Sequence, residues 1–438
     1  MNDIQRLFDF IENSVSPAHG VTHAADVLEK AGFTALDLKK DWQLEAGGAY
    51  YCRPFASELF AFRIGSNLDL SKGAHIAGAH IDWPCIRIKP NAQLIKQGYL
   101  QANVEVYGGP ILSTFFDRPL CIAGRLAVKS DNILEPKMLD INIQKPVAII
   151  ASLAIHMSRA IIEAGNKIDK QVHLLPIFGI IEETMNKDNY LLNFIAEAAH
   201  IAAEDILDYE LCLYNPEKPS LIGINDDFIS APRLDDITSA CAAVYGLIDS
   251  TPSDKIAMTV LFDNEEIGSQ TKQGADSTML DRILEKIWAS FGESRVKYIS
   301  DIHGSMILSA DVGHGYHPNY PGVYDITTLP VLGKGFVIKT DSNQKYSWDC
   351  QASGGLKQLC EAKDIPYQCC VKRSDQAGGG TIGSLISSQL PIKTVDLGVP
   401  LLSMHSAREL MGTKDQEALT RVMKEFFSLE LQKIPPTL

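Results

Sequence analysis

The stretch Met258–Gln270 reads MTVLFDNEEIGSQ, an apolar run that stops at Asp263-Asn264-Glu265-Glu266 and then Gly268. A short apolar run ended by turn residues reads as a strand buried on both faces, the kind found in parallel sheets. In open α/β sheets, ligands gather beyond the carboxyl ends of such strands. Glu265 and Glu266 therefore stand where an α/β enzyme places its chemistry. Taken alone, the pair reads more readily as a solvated acidic turn.

Other runs share the pattern. In GAHIAGAHIDWPCIRIKP (Gly73–Pro90), His80 and Asp82 fall near the end of a small-residue strand and share one face. Such a pair suits a metal ligand with an orienting carboxylate, or a purely structural turn. MILSAD ends in Asp311, with His314 close behind. GFVIKT (Gly335–Thr340) reads as a strand carrying Lys339, and the strand Lys393–Leu397 leads into a loop with Met404-His405-Ser406. Asp235 and Asp236 precede a helix of small apolar residues, so one of them suits a capping or dipole role while the other faces a cleft.

Helical spacing marks residues 3–14, Thr22–Ala31, Ser277–Phe291, Trp348–Ala362 and Thr413–Leu431, with a turn from Ser14 to Gly20. Strands alternating with helices argue for an α/β layer fold. At 438 residues the chain is long for one core, and two domains are expected. The texture changes between 91 and 227. Strand-like pieces (Tyr99–Val106, Leu120–Val128, His173–Ile181) surround helical stretches at Pro146–Ala164 and Tyr190–Tyr209. That block reads as an insertion, leaving 1–90 and 228–438 as the other domain.

Composition excludes some partners. A formal charge of −14 disfavours a nucleic-acid surface, and no apolar run approaches a membrane span. The nine cysteines include no CxxC pair, which fits a reducing compartment such as the cytoplasm. The first fifteen residues lack a basic region followed by an apolar one, so no secretory signal is expected.

Five residues now form a set: His80, Asp235, Glu266, Asp311 and His405. Two imidazoles and three carboxylates suit zinc or related divalent ions. With one carboxylate bridging, five ligands hold two ions that polarise a carbonyl and acidify water. A carboxylate beside them that binds no metal, such as Glu265, is placed as a general base.

Nearly end to end, the chain resembles the M18 metalloaminopeptidases, the aspartyl aminopeptidase family. The motifs that carry the resemblance are SPAHGVTHAADVLEKAGF, GAHIDWPCIRIKP, FFDRPLCIAGRL, APRLDD, DNEEIGSQTKQGADS, ILSADVGHGYHPNY, GFVIKTDSNQKY, GGTIGS and LGVPLLSMHSARELMGT. The resemblance implies a catalytic α/β domain with a central mixed sheet flanked by helices, interrupted by an inserted β-rich dimerisation domain. It implies dimers built into a dodecamer, and removal of N-terminal residues from peptides with a leaning to Asp or Glu. It implies two ions per chain, zinc first, with cobalt or manganese as alternatives. His80, Asp235 and Asp311 match one site, and Asp235, Glu266 and His405 match the other. Asp235 is then the bridge, Glu265 the general base and Asp82 the acid that orients His80. His314, Lys339 and Tyr346 match substrate contacts, and the Lys339 ammonium suits an acidic side chain.

Some positions depart from the family pattern. GGPILSTFFDRPL has Ser113 where a histidine from the partner subunit is expected to reach the active site. Trp83 replaces a small residue and is expected to reshape the pocket. LDD stands for the usual LDN, and SDQAGGGTIG lacks a cysteine. Ser113 alone supports a second reading, a weakened or inactive assembly or peptide-binding protein on the same shell, and the five retained ligands argue against it.

Overall fold

The apolar runs become the middle of a mixed nine-stranded sheet in the structure, a computed structural model that describes residues 1–158, 167–182, 188–376 and 378–430. In chain order the first strands are β1 (Thr34–Ala35), β2 (Ala49–Cys52), β3 (Leu59–Ile64) and β4 (Ala74–His80). Then come β5 (Cys85–Lys96), β6 (Tyr99–Tyr107), β7 (Leu120–Val128), β8 (Lys137–Ala148), β9 (Ile177–Ile180) and β10 (Ile206–Tyr214). The remainder are β11 (Ser220–Ile222), β12 (Phe228–Ala231), β13 (Ile256–Phe262), β14 (Met306–Ala310), β15 (Gly313–His314) and β16 (Phe336–Thr340). The chain closes with β17 (Tyr367–Val371), β18 (Lys393–Gly398), β19 (Pro400–Leu402) and β20 (Glu409–Gly412).

The central sheet runs β1-β2-β3-β13-β4-β14-β18-β16-β17. Its four middle strands, β13, β4, β14 and β18, are mutually parallel, while β3 and β16 join them antiparallel. β13 shows why an uninterrupted apolar run was needed. Ala257 and Leu261 face one apolar layer, together with Ile237, Val244, Leu419 and Met423. Met258, Val260 and Phe262 face the other, with Phe60, Ile283 and Trp288. Both faces are covered by helices, and the one polar side chain of the strand, Thr259, is buried with its hydroxyl donating to the Ala243 carbonyl at 2.9 Å.

The strands β5 to β10 pair only with one another, antiparallel throughout, in the order β8-β7-β10-β5-β6-β9. A third, five-stranded sheet, β11-β12-β20-β19-β15, brings the segment around His405 toward the central sheet.

Three expectations are corrected. Ser14–Gly20 is not a turn: Ser16 caps a helix, Pro17–Lys30, whose first residue is proline. Proline suits that position because it has no N–H to leave unsatisfied. Pro146–Ala164 is not a helix at its start, because β8 continues to Ala148 and Ile149 bridges to Ile177; residues 159–164 lie outside the described residues. Pro146 is tolerated there because β8 is an edge strand. The helix at Tyr190 ends at Ala198, and His200 takes a left-handed conformation (φ 56°) that turns the chain into β10.

Candidate metal centre

The parallel strands deliver the acids and histidines to one edge. Phe262 pairs with His80, and Ala310 pairs with Leu397, so the residues just beyond these strands emerge side by side. His80 is the last residue of β4, and Asp311 follows β14 directly. Glu265 and Glu266 form a single helical turn after β13, entered through Asn264 in the left-handed conformation (φ 64°). Asp235 and Asp236 open the helix Leu234–Ile248 without helical torsions, so the regular helix starts only after them.

Asp235 lies at the middle of the cluster. Its Oδ1 is 3.3 Å from His80 Nε2 and its Oδ2 is 3.3 Å from His405 Nε2. His80 Nε2 also faces Asp311 Oδ1 at 3.6 Å, and His405 Nε2 faces Glu266 Oε1 at 3.5 Å. Each imidazole has its other nitrogen against an oxygen that can only accept. His80 Nδ1 lies 3.0 Å from the Asp82 carbonyl and His405 Nδ1 lies 3.0 Å from the Gly109 carbonyl. A proton on each Nδ1 satisfies those contacts and leaves both Nε2 lone pairs aimed at carboxylate oxygens. Lone pair against lone pair is unfavourable unless a cation lies between them.

The polar atoms give the same result. Asp235 Oδ1 and Glu266 Oε1 are buried without a hydrogen-bond partner among the described residues, a costly state for an ionised carboxylate. Ligand atoms of His80, Asp235, Asp236 and Asp311 all lie within 4.8 Å of one another, as do those of Asp235, Glu266 and His405. The donor set and its histidine–carbonyl supports fit divalent ions. In the protein alone, protons take up the role of cation. Burial lowers the pKa of His80, but the Asp236, Asp235 and Asp311 carboxylates outweigh it and hold it well above the ordinary value. His405 rises to about 9, with Asp235 outweighing burial. Burial followed by the Asp235 charge pushes Glu266 well up, whereas Asp235, flanked by both imidazoles, is held low despite its burial.

Glu265 lies beside this cluster, with its carboxylate in ligand range of His80 and Glu266. Burial, reinforced by Asp311 and Asp82 against His80, pushes its pKa up to about 8. Asp82 ties the turn to β4: its Oδ1 accepts the Glu265 N–H at 3.1 Å and its Oδ2 accepts the Glu266 N–H at 3.2 Å.

A cavity of about 290 Å³ opens over the carboxylates, lined by Asp235, Glu265, Glu266, Asp311 and His405. Its outer wall carries His314, Lys339 and Tyr346. Lys339, on β16, is buried, 3.3 Å from Asp311 Oδ2 and stacked over the Tyr346 ring at 5.0 Å. Asp311 outweighs burial and keeps the Lys339 ammonium protonated. Burial, then the charge of Lys339, lowers the pKa of His314.

Two residues singled out for their departures lie outside that cavity. Trp83 is buried under Arg233 (5.4 Å from the guanidinium to the ring) and lines an adjoining recess together with Asp235, His405 and Glu409. Ser113 is exposed and lines a separate cavity with Phe116 and Leu153. Four supports escaped the sequence reading. Glu409 accepts the Asp235 N–H at 3.0 Å and the His405 N–H at 2.7 Å. Tyr107, from β6, donates to Asp82 Oδ2 at 2.6 Å, and Asn264 donates to the Tyr107 hydroxyl at 2.9 Å. Asp236, read as a helix-start acid, instead accepts the backbone N–H of His80 at 3.2 Å.

Comparison with known proteins gives a consistent picture. The sequence profile of the aminopeptidase I zinc metalloproteases (M18) matches residues 10–427. A probable M18 family aminopeptidase 2 of Clostridium novyi is 44% identical over 424 residues, 97% of this chain and 98% of that protein. Ape4, solved as a complex with Nbr1, superposes with a TM-score of 0.92 at 34% identity over 96% of this chain and 84% of its own. The dodecameric mApe1 of S. cerevisiae superposes with a TM-score of 0.83 at 30% identity, covering 97% of this chain and 95% of that one.

Proposed function

The chain belongs to the M18 family of zinc metalloaminopeptidases, and from that premise we propose a di-zinc enzyme that removes one N-terminal residue from a peptide, leaning to Asp or Glu. The observation that carries the reading is the division of Asp235 between the two imidazoles, one oxygen to each at 3.3 Å. His80, Asp235 and Asp311 would hold one ion, and Asp235, Glu266 and His405 the other. Bound ions supply Lewis acidity toward the scissile carbonyl and toward water. Zinc is the first choice of metal, and cobalt and manganese suit the same donors.

The remaining work belongs to the protein. Glu265 takes a proton from the attacking water and returns it to the departing amine, a role open to a carboxylate within reach of His80 and Glu266. Asp82 holds the Glu265 turn and the His80 ring in one arrangement. His314, Lys339 and Tyr346 receive the N-terminal residue. An acidic side chain there would share the Lys339 ammonium with Asp311, which supports the leaning to Asp and Glu.

The block 91–227 is proposed as the dimerisation domain, with dimers building a dodecamer, and mApe1 was solved as a dodecamer. A cytoplasmic location is supported by nine unpaired cysteines. No helix among the described residues is long and apolar enough to cross a membrane.

Replacing Glu265 with Gln tests the assignment. Turnover of aminoacyl-naphthylamides should fall by about 10²–10⁴ while two ions per chain remain. Parent-rate hydrolysis by that variant would show the base to be another group. In a substrate panel, Asp and Glu should exceed Leu and Met, and N-acetylated substrates should be inert. Cleavage of the acetylated series would point to a different amide hydrolase on the same centre.

A further inference from the structure

At the amino-terminal ends of β4, β13, β14 and β18, the edge opposite the metal centre, lies a second cavity of about 480 Å³. His75 lines it and His80 ends the same strand, so about 17 Å of β4 separates the two places. Helix Cys350–Ala362 and the end of helix Thr413–Ser428 form its walls, with Met306, Leu356, Leu359, Phe426 and Leu429 as apolar surface. Its charged or titratable lining residues are Lys255, Lys363, Lys393 and His75, with no aspartate or glutamate among them, in a chain of formal charge −14.

Lys255 is only 2% exposed. Its Nζ lies 3.2 Å from His75 Nε2. His75 Nδ1 is 2.8 Å from the Phe426 carbonyl, which can only accept, so Nδ1 carries the proton and Nε2 presents a lone pair. The imidazole ring also stacks on Phe426 at 4.4 Å. Burial and then Lys255 push the pKa of His75 down to about 3, so it is neutral. A neutral imidazole does not offset an ammonium charge. Asp254, the residue before Lys255, directs its Oδ2 to Lys72 at 2.5 Å and favours the Lys255 ammonium only through its charge, which burial outweighs, while Lys363 pairs with Glu425 at 2.7 Å. Among the described residues no carboxylate forms an ion pair with Lys255. A buried ammonium in this state is costly without an anion. Burial accordingly lowers its pKa to about 8.

We propose that this cavity binds a small organic anion, a carboxylate borne on an apolar body, with the carboxylate against Lys255 and the body along Leu356, Leu359 and Phe426. The apolar walls require the body, and the ammonium in the floor requires the charge. A single buried ammonium with a neutral neighbour suits one negative charge better than two.

Isothermal titration of the purified full chain with octanoate tests the proposal, with octan-1-ol (the tail without charge) and acetate (the charge without a tail) as the other arms. Octanoate should bind saturably, and each of the others about tenfold or more weakly. Lys255→Met should weaken octanoate about tenfold or more, the worth of one charge-assisted contact, and leave octan-1-ol unchanged. Gly355→Leu is the second variant. Gly355 lines the cavity within a helix, and a Cβ there meets nothing within 4 Å. Leucine also favours a helix over glycine, so this variant should fold and lose octanoate. The proposal fails if octanoate gives no binding heat at millimolar concentration, or if octan-1-ol or acetate binds as well as octanoate. It fails equally if Lys255→Met binds octanoate as the parent does. If Lys255→Met does not fold, parent-like octanoate binding by Gly355→Leu still overturns it.

Discussion

Glu409 contacts none of the proposed ions, but both of its oxygens hold the backbone of the centre: one takes the Asp235 N–H, the other the His405 N–H. Burial, with the Asp235 charge behind it, pushes its carboxyl up to about 8. In Glu409→Gln one amide face would present N–H to N–H, displacing either the bridge or a histidine. Outer supports of this kind typically matter 10–100-fold, so the variant should release its ions to a chelator at about 10–100-fold lower chelator concentration. Metal analysis after graded dialysis checks this, and parent-like retention would mean that the two N–H contacts are dispensable. Glu409 and Tyr107 show why the outer supports were not legible in the sequence. The groups they hold lie 174 residues away for Asp235 and 25 for Asp82, and neither sits in a pattern that marks chemistry. Four of the five candidate ligands were legible because each ends an apolar run or lies in the loop after it, while Asp235 stands at the start of a helix. The second acid, Asp236, shows the limit. Its place before a helix suggested a cap, and the backbone instead turns it under His80.

The loop between β2 and β3 carries Glu58, fully buried with both carboxyl oxygens lacking a hydrogen-bond partner among the described residues. Burial, then the nearby Asp263, pushes its pKa up from 4.5 to about 8. A raised folded pKa means that the folded state binds the proton more tightly. The stabilisation is therefore complete below about pH 4.5 and lost as pH rises through about 8. Glu58→Gln mimics the neutral acid at every pH. It should match the parent near pH 5 and melt higher above pH 8, by a margin on the order of a few kcal/mol at most. Thermal melts from pH 5 to pH 9 check this, and a parent–variant difference that stays constant with pH would show that Glu58 does not titrate in this window. Legibility at the level of elements depended on what covers each one. β13 and β14, sealed on both faces, read clearly. Pro146–Ala164 read as a helical stretch, but it begins as strand, and its apolar residues Ile149, Leu153, Ile155 and Met157 are exposed in the single chain. Apolar periodicity reports an intended contact, and not always one made within the same chain.

That exposed apolar group belongs to the whole molecule. Ile149, Leu153, Ile155, Met157, Val172 and Ile180 cluster in sequence around the six-stranded sheet, and Met157 and Ile180 are 74% and 73% exposed. Apolar side chains in such number mark a surface that meets another protein, and identical chains meet most often through a self-complementary patch. The strand order of the central sheet could not be read beforehand, since β4 is flanked by β13 and β14, far along the chain. The result of that order is a centre whose five proposed ligands all come from one chain, while these exposed apolar residues belong to the block that holds the six-stranded sheet. Assembly and metal binding are therefore separable. The parent chain should scatter light as a multiple of 48.1 kDa, and Leu153→Glu combined with Met157→Glu should lower that mass while two ions per chain remain. A parent that runs as a single 48.1 kDa chain at micromolar concentration would remove the assembly from the proposal. A variant that loses mass and ions together would show that the metal centre depends on its neighbours, contrary to the single-chain ligand set.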